Sequence, residues 1–340
     1  MNATQKQRGV ALLVVLILLV MMSALAAKIS QQFCRNLQKT RYQVSQQQLR
    51  WAMQSQEMAI KTRLQEATVG EKNVLTLEGE WHTPLETQGE NYTVVSQVED
   101  AQDCFNVNNL LATAAEAEPK AGQAAATPVP EKPYPQQVIE QIFTDSGISA
   151  TTAETLYRQL MDDLDEDSTT EKGGQEKDSW AGVQPARQPA NQMMITLSEL
   201  KQLPAFPPSA WPKLSVLLCA LPTTHSQLNV NTLTSQKAAL LAALFPGKLT
   251  AEEAGRIIDA RPEGGWESVE AFSEMLERSA PQLKDDLKQV TEQLAVTSRY
   301  FQVNYTGNTD ELTLRVTSQM RATSEAGEVQ TWQRRYRLIE

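Results

Sequence analysis

Residues 7–27 of the chain read QRGVALLVVLILLVMMSALAA, an arginine and a glycine followed by a long apolar run. The run at 10–27 is interrupted only by Ser23. At 1.5 Å per residue it spans roughly 27 Å as a helix, close to the hydrocarbon thickness of a bilayer. Lys6 and Arg8 precede it, so the positive-inside rule keeps the N-terminus cytoplasmic. The stretch therefore predicts a single membrane-spanning helix, with the rest of the chain outside.

The apolar run continues into a helix that leaves the membrane. No glycine or proline occurs between positions 10 and 69. A secretory signal peptide, suggested by the A-x-A-like Ala24, Ala26 and Ala27, would have a shorter apolar core and a break behind it. Further apolar residues recur in steps of four and seven: Ile29, Phe33, Leu37, Val44, Trp51 and Met58. The pattern predicts one continuous helix, with a membrane part at 10–27 and a stalk at 28–68.

The residues around the glycine resemble the prepilin signature. Gln7-Arg8-Gly9-Val10 stands directly before the apolar helix, where this class of protein carries a short basic leader. The resemblance implies that a prepilin peptidase removes the leader 1–9 and leaves Val10 as a new, methylated N-terminus. The residues alone are also compatible with an ordinary single-pass anchor that bears a coiled-coil stalk.

The chain departs from the prepilin pattern at one position. Most members of the class have a glutamate at the fifth mature position, whereas this chain has Val14. A carboxylate within the span costs about 2.5–3.5 kcal/mol and needs a partner. The resemblance implies that, in the filaments of the class, this partner is the N-terminal amine of the neighbouring subunit. A subunit that lacks the acid therefore fits the end of a filament.

Composition and cysteine usage narrow the function classes. The 340 residues suffice for an anchor and two folded domains, and the formal net charge of −10 argues against polyanionic partners. An exported chain can form disulfides. We expect Cys104 to pair with Cys219, because both lie in the globular part. Cys34 lies on the stalk, where it would be free or protected by packing. The two histidines form no recognisable arrangement with cysteine, so no enzyme is predicted.

Strand and helix patterns divide the remaining chain. The linker 112–135 is rich in Ala, Pro and Glu and cannot bury a core. Alternation predicts strands at 73–81, 91–99, 298–306, 311–322 and 329–339. Helical spacing predicts helices within 136–164, 197–221 and 235–294. The predicted class is α+β: a long helix packed on an antiparallel sheet from 69–111 and 295–340, with an all-helical domain inserted at 112–294.

This arrangement is similar to that of the protein K family of type II secretion minor pseudopilins. DCFNVNNL at 103–110 resembles the acidic-x-Phe-Asn-x-Asn segment of the family, and LPTTHSQLNVNTLT at 221–234 resembles its Asn-x-Asn-Thr segment. The missing acid at Val14 is also typical of it. The resemblance implies an inner-membrane subunit with a periplasmic domain, at the tip of a pseudopilus whose assembly it primes for protein export. Its partners would be two other minor pseudopilins, the major pseudopilin and the prepilin peptidase.

An acidic stretch suggests a structural calcium site. DDLDED at 162–167 and GQEKDSW at 174–180 resemble two acidic segments of the family, with Asp163 and Lys177 as departures. Ca²⁺ takes six to eight oxygen ligands, several of them carboxylates. The ligands that the resemblance implies are Asp162, Asp165, Asp167, Glu176 and Asp178. A solvated acidic loop is the alternative.

The sequence is compatible with two other functions. The segment 235–272, which includes FPGK, looks like a helix-hairpin-helix unit, and such units often bind DNA through backbone amides. Its single hairpin glycine and its many acids give little basis for an exported, competence-type DNA-binding protein, so no nucleic acid is expected. The third possibility is an unprocessed single-pass protein with a periplasmic binding domain, which would keep Met1.

Overall fold

The computed structural model describes residues 5–69, 74–112, 132–166, 189–323 and 327–339. Its first element is α1, a helix of 64 residues over Gln5–Thr68. Every residue from 10 to 41 is exposed, so the first half of α1 projects away from the folded body. The predicted uninterrupted helix is confirmed, and it follows from a stretch in which nothing breaks the backbone hydrogen-bond ladder.

The body begins with a five-stranded antiparallel sheet in the order β1-β2-β7-β8-β9. Its strands are β1 Leu85–Gln88, β2 Thr93–Asp100, β7 Tyr300–Asn308, β8 Thr313–Ala322 and β9 Val329–Ile339. The strands from both sides of the helical block thus meet between β2 and β7, as predicted. The strand predicted at 73–81 is wrong, because the described part of that stretch, from 74 on, forms turns and the first part of a short 3-10 helix.

The C-terminal half of α1 packs on one face of the sheet. Leu49, Met53, Ile60 and Leu64 are buried in one apolar cluster with Val94, Phe301, Val303, Leu314 and Val316. Gly307 on β7 makes the close approach possible. A Cβ at this position would lie 2.7 Å from Met53 Cε and 2.9 Å from Leu49 Cδ2.

A charged cluster ties the last strand to α1. The Glu57 carboxylate accepts hydrogen bonds from Arg334 Nη2 at 2.5 Å and from Thr331 Oγ1 at 2.7 Å, and Lys61 Nζ lies 3.1 Å away. Burial opposes the charged form of Glu57, but these hydrogen bonds and the charge of Arg334 outweigh it. The pKa of Glu57 therefore lies below its ordinary value. The carboxylate thus stays ionised and anchors β9.

The second unit is helical and has its own apolar cluster, with Phe143, Leu160, Leu214, Phe245 and Phe272 among its buried members. Its helices are α2 Tyr134–Asp145, α3 Ala150–Leu164, α4 Trp211–Leu217, α5 Ala238–Ala243, α6 Ala251–Asp259, α7 Val269–Ser279 and α8 Leu287–Thr291. Two short parallel pairs complete it: β3 Phe105–Asn106 with β4 Leu218–Cys219, and β5 Leu228–Asn229 with β6 Leu294–Ala295.

The structure moves the N-terminal edge of the predicted insertion and shortens the predicted linker. Residues from β3 onward, assigned to the sheet domain up to 111, belong to the helical unit, because Val107 and Leu110 are buried in its apolar cluster. Cys104 and Cys219 form a disulfide with their Cα atoms 5.8 Å apart, which ties this entry segment to β4. The predicted linker 112–135 ends before Tyr134, where α2 begins. Most of the linker, 113–131, lies outside the described residues.

Buried asparagines hold segments of the helical unit together and fasten it to the sheet. Asn108 Nδ2 donates to the carbonyl oxygens of Met194 and Leu221, at 2.9 and 2.7 Å. Asn229 Nδ2 donates to Ser298 Oγ at 2.9 Å, and Asn231 exchanges hydrogen bonds with the backbone of Trp266. The two segments that resemble family motifs are therefore structural, because their amides satisfy backbone groups that would otherwise be buried without partners.

One buried carboxylate lies at the centre of this joint. Asp100, at the end of β2, accepts hydrogen bonds from Thr232 Oγ1 at 2.5 Å, Ser298 Oγ at 2.6 Å and the Gln102 amide at 2.8 Å. Burial and the nearby charge of Asp103 nevertheless raise the pKa of Asp100 to about 6, from an ordinary value of 3.8. The folded chain therefore binds more protons than the unfolded chain between those two pH values.

We expect this carboxylate to make stability depend on pH. Since its pKa is higher in the folded state, its contribution to the free energy of unfolding is largest near pH 4 and declines as pH rises to about 6. In the parent, this carboxylate should lower the free energy of unfolding by up to about 3 kcal/mol as the pH rises from 4 to above 6, and Asp100→Asn should remove that pH dependence. Urea unfolding of parent and variant at several pH values between 4 and 6.5 measures it. The exposed acid in Glu263→Gln serves as control, and parallel pH profiles for parent and Asp100→Asn would contradict the assignment.

Candidate assembly surface

The apolar row on α1 faces away from the body. Trp51 is 66% exposed, Met58 70% and Phe33 62%, although all three are large apolar side chains. Ile29, Leu37 and Val44 are exposed as well. At about 100° per residue, the six residues fall within a sector of about 80°, roughly opposite the buried face of α1. A continuous exposed apolar stripe of this kind marks an interaction surface.

Sequence periodicity identified this stripe but did not show whether it faces the sheet or the solvent. A second set at 49, 53, 60 and 64 has the same steps of four and seven, and the structure shows that this set packs on the sheet. The signal for two apolar faces was present in the sequence. Without knowledge of the sheet, however, nothing in the pattern says which face is covered. We define the stripe as Ile29, Phe33, Leu37, Val44, Trp51 and Met58.

A groove of about 630 Å³ lies beside the stripe, between α1 and the sheet. Several glutamines of α1 line it, among them Gln43 and Gln47, together with Trp51. At its edge, the Arg50 guanidinium lies 5.3 Å from the ring centroid of Tyr336 on β9. The groove thus adds amide and aromatic groups to the apolar stripe, so a second helix laid along α1 would meet both.

The predicted processing residues lie at the far end of the same helix. The backbone of α1 is continuous through Gly9, and Val10 and Val14 are 65% and 49% exposed. From Val10 onward the helix is long and apolar enough to cross a membrane. Since position 14 is a valine, residues 10–27 carry no charged side chain.

The predicted calcium ligands are only partly described. Asp162 is buried near the end of α3, and Asp165 follows directly as its C-cap. Asp167, Glu176 and Asp178 lie outside the described residues. Asp163 Oδ1 accepts the Ala190 amide at 2.9 Å, and burial raises the pKa of Asp163. Within the described ranges, no group of three or more acidic, histidine or cysteine side chains is placed to hold a metal.

The helix-hairpin-helix-like segment offers no phosphate site in the part described. Gly247 turns the chain between α5 and α6 with a φ of 71°. At the start of α6, Thr250 Oγ1 accepts the amide of Glu253, while the Glu253 carboxylate accepts the amide of Thr250. The Glu253 carboxylate therefore puts negative charge at this helix N-terminus and already satisfies one of its amides, so the DNA-binding alternative is not favoured.

The three cysteines are in two states. The disulfide joins Cys104 and Cys219, whereas Cys34 is a free, exposed thiol on the projecting half of α1.

The long helix, the sheet and the stripe together define a class of protein. The chain is a pilin-like subunit: a long helix with a membrane-length apolar start, a sheet packed on its second half, and an uncovered apolar face.

Comparison with known proteins gives the family. Models described as type II secretion system (T2SS), protein K, match residues 103–223 and 228–297. A putative type II secretion system protein K of Escherichia coli K12 is 30% identical over 308 residues, which is 90% of each chain. The type II secretion system protein K of Klebsiella pneumoniae is 32% identical over 272 residues, 78% of this chain and 79% of the relative. The chain therefore belongs to the type II secretion system protein K family.

A solved structure agrees with this assignment. A chain from the crystal structure of the GspK-GspI-GspJ complex of the enterotoxigenic Escherichia coli type 2 secretion system superposes with a TM-score of 0.73. The two chains are 26% identical, and the match covers 88% of this chain and 99% of the other. The family is one of structural pseudopilins and is not a known enzyme family.

Proposed function

We propose that this chain is a minor pseudopilin at the tip of the type II secretion pseudopilus, where it primes assembly and supports protein export across the outer membrane. The exposed apolar stripe on α1 is the observation that carries this function. It continues in line from a membrane-length apolar segment and is left uncovered by the body of the protein. Its role is contact with sister helices rather than catalysis.

The sister helices belong to two other minor pseudopilins, with the major pseudopilin below them. Similarity to a chain of the GspK-GspI-GspJ complex supports this choice of partners. The helical unit supports an end position, because the seven α-helices described in it lie beside the sheet and would collide with neighbours along a closely packed shaft. Val14 points the same way, since the chain brings no acid to pair with the N-terminus of another subunit.

Before assembly the chain sits in the inner membrane with its N-terminus in the cytoplasm and its folded body in the periplasm. Lys6 and Arg8 support this orientation through the positive-inside rule. A prepilin peptidase cuts between Gly9 and Val10, and the new N-terminus is methylated. The resemblance of residues 7–10 to the prepilin signature supports both modifications.

Charges placed on the stripe test the tip function. In Phe33→Glu/Trp51→Glu, two anchors that are each worth about 1.5–3 kcal/mol when buried are replaced by acids. We expect recovery of co-expressed minor pseudopilins with the affinity-tagged chain to fall by more than a hundredfold. Gln31→Glu/Gln38→Glu adds the same charge on the opposite side of the projecting helix and should behave like the parent. Equal recovery with both variants would refute the role of the stripe.

We further propose a structural Ca²⁺ at the end of α3, held by Asp162, Asp165, Asp167, Glu176 and Asp178. Buried acids at the C-terminal end of a helix face its negative dipole, so a cation there would stabilise them. A millimolar calcium concentration should raise the melting temperature by several degrees, because a ligand that binds only the folded state stabilises that state. Asp165→Asn should abolish the increase, and an unchanged melting temperature of the parent would exclude the site.

A further inference from the structure

The sheet ends in a long strand whose outer edge is open. β9 is the last strand in the sheet order and has 11 residues, whereas β1 at the opposite edge has four. Over the described residues, no backbone group other than those of β8 pairs with β9. A bulge between Thr331 and Gln333 interrupts the ladder, so the regular part of the edge is 333–339. Such an edge can accept another strand.

This edge carries positive charge that the protein does not neutralise. Arg337 lies directly opposite Arg315 of β8, and Arg335 lies opposite Thr317. The three arginines share one exposed face of the sheet, and in the described ranges no acid lies within ion-pair distance of them. Arg334, whose side chain points to the other face, is paired with Glu57. Facing like charges destabilise a sheet, and here they persist in a chain with a net charge of −10.

We propose that the 333–339 edge of β9 is a docking site for an extended acidic protein segment, which adds to the sheet as a sixth strand. Its backbone pairs with the open edge, and its carboxylates lie next to Arg335 and Arg337, about 4.8 Å away across the ladder. Arg315 behind them adds to the positive potential. The arginine face of this edge lies on the side of the sheet opposite α1, whereas Tyr336 within the edge borders the α1 groove. The proposal does not depend on the tip function.

Charge identifies the occupant. Arginines on an edge strand also discourage edge-to-edge aggregation, and here they repel a second copy of β9, which would bring the same charges into register. An acidic segment is attracted instead, because its carboxylates reduce the repulsion between Arg315 and Arg337. The neighbouring cleft between this sheet face and the helical unit, about 770 Å³ and lined in part by Arg335, leaves room for the side chains of an added strand.

The test uses the full chain in detergent and a fluorescent eight-residue peptide of alternating glutamate and valine. We expect the peptide to bind, and binding to weaken with salt. Arg335→Glu/Arg337→Glu should lower the affinity at least tenfold. Arg278→Glu, an exposed arginine of α7, should leave it within twofold. A peptide with lysine in place of glutamate should not bind.

Methylated peptides separate strand addition from simple charge attraction. N-methyl groups on alternate amides block one hydrogen-bonding edge of the peptide and keep its charge. Two such peptides are made, one methylated on the odd-numbered amides and one on the even-numbered amides. At least one of them should bind tenfold more weakly than the parent peptide. The proposal is overturned if the parent peptide fails to bind, if both methylated peptides bind like it, or if the double charge reversal keeps the affinity.

Discussion

Gly9→Leu should leave the chain uncut, so that it keeps its full length in cells that contain the prepilin peptidase. Glycine lets a protease approach the backbone closely, and a leucine side chain would fill the space beside the scissile bond to Val10. The bond lies within the first turns of α1, directly before the apolar run. We expect processing to fall from nearly complete to undetectable, seen as loss of the gel shift and as a sequenced N-terminus of Met1.

Ala26→Leu is the matched control for this experiment. It disturbs the A-x-A-like pattern at the other end of the apolar run, so it would block a signal peptidase and leave a prepilin peptidase unaffected. If Ala26→Leu is cleaved and Gly9→Leu is not, the chain is processed by a prepilin peptidase. The reverse result would establish a cleaved signal peptide. A parent chain that begins at Met1 would establish an unprocessed anchor.

Removal of the disulfide between Cys104 and Cys219 should cause a large loss of stability. The bond joins residues 115 positions apart, so it strongly restricts the unfolded chain. The loop-entropy model gives about 4–5 kcal/mol for a loop of this size, and native disulfides commonly contribute 2–5 kcal/mol. We expect Cys104→Ala/Cys219→Ala to lower the free energy of unfolding by about 3–5 kcal/mol, measured by guanidinium titration of the detergent-solubilised chain.

Cys34→Ala provides the comparison. This thiol is free and exposed on the projecting helix, so its removal should change the free energy of unfolding by less than about 0.5 kcal/mol. A reducing agent should destabilise the parent and the Cys34 variant equally and leave the double variant unchanged. If the double variant loses less than about 1 kcal/mol, the loop must already be restrained in the unfolded state.

Local patterns predicted the elements that depend on local physics. The uninterrupted α1 and the last three strands follow from helical spacing and alternation, and the structure has them close to the predicted positions. The stretch 197–221 is less regular than predicted. Its prolines, at positions such as 207 and 208, cannot donate backbone hydrogen bonds, and it forms short 3-10 turns with one brief helix, α4.

Features that depend on distant partners could not be predicted. β1 has few strand-forming residues and is held by its pairing with β2. Alternation predicted a strand at 73–81, but the burial of Leu75 and Trp81 comes from packing in the α1 cluster rather than from a ladder. The joint around Asp100 depends on Ser298, which is 198 positions away in the chain. The amide and carboxylate roles there leave no periodic signal in the sequence.

The pairing of β2 with β7 also sets an order of events during synthesis. Thr93 pairs with Asn308, so the sheet cannot close until the ribosome has passed all the helical segments between them. Contacts so distant along the chain form late and slowly, unless a folded intervening unit brings the ends together. Until then Leu49 and Met53 lack the cover of β7 and β8. A truncated polypeptide would expose apolar side chains on two faces of α1. The complete chain covers one of these faces with its sheet and leaves only the assembly stripe exposed.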